Sequence, residues 1–176
     1  MRRHGWILLL AVTPLMGSTM RIDTGEPPGD TAPRLSPERK AAVEDAVRRF
    51  ASKVAQDVTQ EGPAAWRNEF SDSPAFFMAS DGQLAFANRQ AAEQGIDQLA
   101  RTVKQIELRW GSDLRVDVLT EDLAMVATSW HEFRVDMQGH RVEDSGYFTG
   151  LVEQRKGQWQ FRNAHWSEVV PPSKVP

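Results

Sequence analysis

The chain contains no cysteine. That excludes a disulfide framework, a thiolate metal site, a cysteine nucleophile and a lipidated N-terminal cysteine. Acidic residues are in only small excess, 24 against 21 basic, for a net of −3. Nucleic-acid binding needs a concentrated basic surface, so it is not expected. No apolar run approaches the roughly 20 residues that span a bilayer. There is no glycine-rich phosphate loop and no Gly-x-Ser-x-Gly elbow. His131 and His165 lie far apart, with no carboxylate-rich helical pair, so neither a metal nor another cofactor is expected. Against these gaps stand six tryptophans beside one tyrosine. The 176 residues, 40% apolar and 26% charged, suit one soluble globular domain.

The N-terminus reads as a segment outside the fold. Arg2 and Arg3 precede Ile7-Leu8-Leu9-Leu10-Ala11-Val12 and Leu15-Met16, followed by the small residues Gly17-Ser18-Thr19. This pattern predicts a signal peptide over 1–20 and a periplasmic or secreted protein, with no stable membrane insertion once the segment is removed. An uncleaved N-terminal membrane anchor is the alternative. Loss of Arg2 and Arg3 takes the net charge from −3 to −5. Gly25, Pro27, Pro28, Gly29 and Pro33 deny helix and ladder, which predicts a flexible linker over 21–35. Residues 171–176 read as an irregular tail, leaving 36–170 for the domain.

Ser36-Pro37-Glu38 is a helix start, with a hydroxyl cap, proline in the first turn and an acid near the positive helix end. Val43, Val47, Phe50, Val54 and Val58 form one apolar stripe, and Gly62-Pro63 stops it. Trp66 and Phe70 share a face of a short second helix over 64–70. Apolar runs on either side of Asp81-Gly82 predict a tight hairpin. Ile96, Leu99 and Val103 predict a third helix over 92–105. From Ile106 onward the period is two: one strand over 106–118 bent at Gly111-Ser112, then further strands divided by turns at 120–122, 138–139 and 156–157. Helices first and strands after predict an α+β domain with an antiparallel sheet packed on helices.

Three stretches carry a family resemblance. They are Trp66-Arg67-Asn68-Glu69-Phe70-Ser71 with Phe76-Phe77-Met78 and Asp81-Gly82; Asp122-Leu123-Ala124-Met125-Val126; and Gly157-Gln158-Trp159 through His165-Trp166-Ser167. Together they resemble the nuclear transport factor 2-like superfamily, within it the SnoaL-like group and the calcium/calmodulin-dependent kinase association-domain type. The resemblance implies a cone: a strongly bent sheet wrapped around about three helices, with an internal pocket. It also implies a homodimer formed through the outer sheet. Relatives of this kind use the pocket for isomerisation, dehydration, ring closure, ligand binding or assembly alone, and fold does not choose among these.

By strand alternation Trp159, Phe161, Asn163, His165 and Ser167 share one face of the last strand, apolar at one end and polar at the other. With Trp66, Phe77 and Tyr147 they make the expected pocket lining for a small apolar or amphipathic molecule. His165 is the candidate general base, flanked by Asn163 and Ser167, of a cofactor-independent isomerase, cyclase or hydrolyase. The alternative is a histidine satisfied within the core. Trp110 is expected inside. Trp130 and Trp166, if both lie on the outer face, would form an apolar patch that favours the dimer. Glu132 and Asp144 lie on strands whose alternation leaves their faces open.

Overall fold

A computed structural model describes residues 35–169. The expected signal peptide, all of the linker but Leu35, and the tail lie outside the described residues. Helix α1 spans Pro37–Glu61. Ser36 caps it by accepting the Arg39 amide at 3.2 Å. Gly62 ends it with φ 80°, a left-handed backbone that costs other residues a steric clash. The stripe from Val43 to Val58 is buried. Full burial of each such side chain contributes roughly 1.5–3 kcal/mol over exposure.

A single 3-10 turn, Pro63–Ala65, leads into α2, Trp66–Glu69. The hairpin strands β1 and β2 are Phe77–Ser80 and Gln83–Phe86. Between them Asp81 and Gly82 both hold positive φ, 50° and 80°. Helix α3 spans Arg89–Thr102, three residues earlier than the apolar spacing predicts. The reason is Asn88, whose side chain caps the helix by accepting the Ala91 amide at 2.9 Å.

Five further strands follow: β3 Val103–Trp110, β4 Arg115–Val118, β5 Leu123–Asp136, β6 Arg141–Arg155 and β7 Gln158–Glu168. The strand predicted over 106–118 is two strands, divided at Gly111 and both paired with β5. Asp113 pins the break by accepting from the Ser129 amide at 3.0 Å and the Ser129 hydroxyl at 2.7 Å.

All seven strands form one open sheet of order β2-β1-β7-β6-β5-β3, with β4 beside β5. The expectation of an antiparallel sheet needs one correction, because β1 pairs with β7 in parallel. The chain enters β1 already running alongside β7: the Ser71 amide donates to the Phe161 carbonyl at 2.9 Å. The three helices pack on one face of the sheet. Trp110 ties α1 there by donating its indole N–H to the Ala51 carbonyl at 2.8 Å. This is the α+β architecture that the patterning predicts.

Candidate functional site

Alternation decides what each strand offers the helices. On β5 the even-numbered residues face inward, so Trp130, Glu132 and Arg134 follow the buried run Ala124, Val126 and Thr128. Register then places Gly146 between Trp130 of β5 and Glu168 of β7, and sets Asp144 opposite Glu132.

The last strand does not keep one alternation. Val152 pairs with Phe161 but Leu151 pairs with Asn163, so Arg162 is the extra residue of a β-bulge. A bulge shifts every later side chain to the other face. Trp159 and Phe161 face inward before it; Ala164, Trp166 and Glu168 face inward after it. Asn163, His165 and Ser167 therefore lie on the outer face, which corrects the expected grouping of these three with Trp159 and Phe161.

A cavity of about 230 Å³ lies between the sheet, α2, α3 and the hairpin. Trp66, Trp130 and Trp166 form its aromatic wall. Trp166 meets Trp66 edge-on at 5.8 Å between centroids and Trp130 at 5.2 Å. Phe86 closes the hairpin side against α3, where Gly95 leaves no Cβ and the ring takes that space. Trp130 is buried, and its indole N–H has no acceptor among the described residues.

The polar end of the cavity is Ser80, Glu132, Arg134 and Glu168. Arg134 Nε lies 3.0 Å from Glu132 Oε1, and its terminal nitrogen pairs with Asp144. Burial pushes the Glu132 carboxyl above the usual carboxylate range, the Arg134 guanidinium opposes this, and the charges of Asp144 and Glu168 add to it. Asp81, at the adjoining turn, is held below its usual range by the Glu168 amide, which donates to it at 2.9 Å, and by the Ser80 hydroxyl.

Of the sequence-derived candidates, Trp66 alone lines this cavity. Phe161 is buried beneath it, against Phe50 and Phe148. Trp159 lines a separate cleft with Phe50, Lys53 and Glu69. Phe77 and Tyr147 stand on the outer face, 45% and 40% exposed. The Asn163 amide donates to the Ala75 carbonyl at 2.9 Å, and the Ser167 hydroxyl donates to the Tyr147 carbonyl at 3.1 Å. His165 is exposed beside Thr149 and Ala79. It is neither in the cavity nor a core histidine. Trp130 and Trp166 point inward, so they form no outer patch.

Glu132 and Glu168 are the site residues that alternation missed. The signal for both is an inward tryptophan two positions earlier: Trp130-x-Glu132 and Trp166-x-Glu168.

Glu132 sets a pH dependence. A carboxyl whose folded value is raised binds its proton more tightly in the folded state, so stability falls as pH rises through and above the ordinary carboxylate range. Glu132→Gln is expected to raise the melting temperature by a few degrees at pH 7 and to leave it unchanged near pH 4. Calorimetric melts across that range check this, and a lower value for the variant at pH 7 would sink it.

No protein-family model matches this chain, and no curated protein sequence does. Solved structures do. A nuclear transport factor 2-like superfamily protein from Salmonella enterica serovar Typhimurium matches with a TM-score of 0.64 at 12% identity, over 76% of this chain and 96% of that one. A candidate scytalone dehydratase from Novosphingobium aromaticivorans matches at 0.63 and 14% identity, over 79% and 93%. A candidate calcium/calmodulin-dependent protein kinase II association domain from Xanthomonas campestris matches at 0.57 and 17%, over 73% and 87%. These likenesses show the nuclear transport factor 2-like fold.

Proposed function

We propose that this domain holds one small amphipathic molecule in the tryptophan-walled cavity, its apolar body on the indoles and its polar end at Glu132, Arg134 and Glu168. The observation that carries this is the pairing, in one cavity, of an aromatic wall with a single charged end. Sites for small molecules have this character: mostly apolar lining with a few placed polar groups.

We further propose that the chain is exported and that two copies pair through the outer sheet face. Support for pairing comes from register. Phe77, Leu151 and Met125 lie in one cross-strand row, broken only by Asn163. Phe77 is 45% and Met125 46% exposed.

Native mass spectrometry of protein purified from its own host tests all three at once. The expected result is a chain shortened at its N-terminus, doubled in mass, and carrying a bound species that denaturation releases. Leu99→Trp, which fills the cavity from α3, is expected to lose the bound species while melting no lower than the parent. Retention of the same species by that variant would remove the cavity as its site.

One observation favours a second reading. Burial raises the Glu132 carboxyl above the usual carboxylate range at the polar end of the cavity, the direction in which a carboxylic proton carrier is tuned. A cofactor-independent isomerase, cyclase or hydrolyase on this chain would then use Glu132. An activity on hydroxylated ring compounds that survives His165→Ala and disappears with Glu132→Gln is the outcome this reading requires.

A further inference from the structure

We propose that the molecule held in the cavity is an organic cation, an amine or quaternary ammonium carried on a small apolar body. This rests on the cavity-binding reading and narrows it to one ligand class.

The argument begins with charge. Three carboxylates stand around one guanidinium, Arg134: Glu132 and Glu168 line the polar end with it, and Asp144 pairs with it from outside the lining. Arg134 is already engaged by two of them. The third, Glu168, stands exposed at the cavity rim, and none of the salt bridges among the described residues includes it. The balance is negative even when Glu132 keeps its proton. A cleft with one sign of charge and low-dielectric walls concentrates ligands of the opposite sign.

The wall supplies the second argument. Trp130 and Trp166 meet edge-on at 5.2 Å, as do Trp166 and Trp66 at 5.8 Å. Trp166 stands steeply to both of the other indoles and is itself backed by Trp110 and Phe148, so the cavity is bordered by indoles of more than one orientation. Tryptophan faces attract cations more strongly than other aromatic rings do, and such cages are a recurrent solution for ammonium groups. An anion would meet the same indoles and Glu168, which no cation among the described residues pairs, both unfavourable. The buried indole N–H of Trp130 has no acceptor among the described residues, and supplies a donor for a hydroxyl or carbonyl beside the ammonium.

Three probes of one shape test this: phenyltrimethylammonium, its neutral carbon isostere tert-butylbenzene, and the anion 4-tert-butylbenzoate. Binding is read by tryptophan fluorescence and calorimetry on the purified chain at low salt. The cation is expected to bind roughly tenfold more tightly than the neutral isostere. Glu168→Gln, at an exposed position, is expected to remove several-fold of that advantage and leave the neutral probe unchanged. Equal affinity of cation and isostere overturns the inference while the cavity reading stands. Tightest binding of the anion does the same and makes Arg134 the determinant. Binding of none of the three overturns both readings.

Discussion

Gly146→Ala is expected to destabilise the domain by about 3 kcal/mol or more, the upper end of what overpacking costs. A methyl group built there overlaps the Ser167 carbonyl oxygen, lies 2.8 Å from its carbon and 3.0 Å from Glu168 Cα. All three are backbone atoms of the neighbouring strand, which cannot swing aside as a flexible side chain can. The β6–β7 ladder must open locally, and with it the position of Glu168. A useful contrast is Gly157→Ala. At that turn φ is +81° and nothing lies within 4 Å of the new carbon. Its cost is confined to the left-handed backbone, roughly 1–2 kcal/mol. Urea melts of the two variants check the ranking. A Gly146→Ala protein as stable as the Gly157→Ala protein would mean that the two strands are not so close.

Phe161→Ala is expected to cost about 3–5 kcal/mol, against a total of roughly 5–15 kcal/mol for a domain of this kind. Its ring is 1% exposed. It meets Phe50 of α1 at 5.0 Å, Phe148 of β6 at 5.2 Å and Trp66 of α2 at 6.5 Å. One side chain thus joins two helices to the sheet, and the void left would border all three. Gly150 shapes the same place. A Cβ there would lie 2.8 Å from the Phe148 ring and 3.1 Å from the Phe161 ring, so the missing side chain is what admits both. Trp159, two residues away and half-buried, is expected to cost well under that when replaced by alanine. Equal losses from Phe161→Ala and Trp159→Ala in denaturant melts would contradict this placement of the core.

Element types were legible because one period governs each segment. The stripe from Val43 to Val58 is a helix whatever packs on it. The alternation from Ile106 to Val118 is strand on both sides of its break. The parallel seating of β1 was not legible, since it depends on where Ser71 meets β7 rather than on any local pattern. The site was harder still. A period-two argument holds only while the ladder is regular, and one extra residue at Arg162 moves His165 to the outer face and Trp166 to the cavity. Sequence carries no plain mark of that bulge. Glu132 is different: the spacing from Trp130 was present, but both alternating sets of β5 contain apolar residues, so only register with β6 decides the inward one.

The parallel pairing of β1 with β7 has a consequence for the order in which the molecule can be made. Phe77 finds its partner at Asn163, 86 positions later. Closing a loop of that length costs on the order of 4 kcal/mol in chain entropy. Until β7 is in place the hairpin has no sheet to join, and Met78, Ser80 and Phe86 have no cavity to border. The helices and the β3–β6 ladders can assemble from near neighbours; the tryptophan-walled cavity cannot. Among these pairings, that of β1 with β7 has the largest closure cost, and the hairpin is expected to dock after the β5–β6–β7 ladders. Refolding followed by hydrogen exchange, with β1 amides protected no later than those of β6, would contradict this.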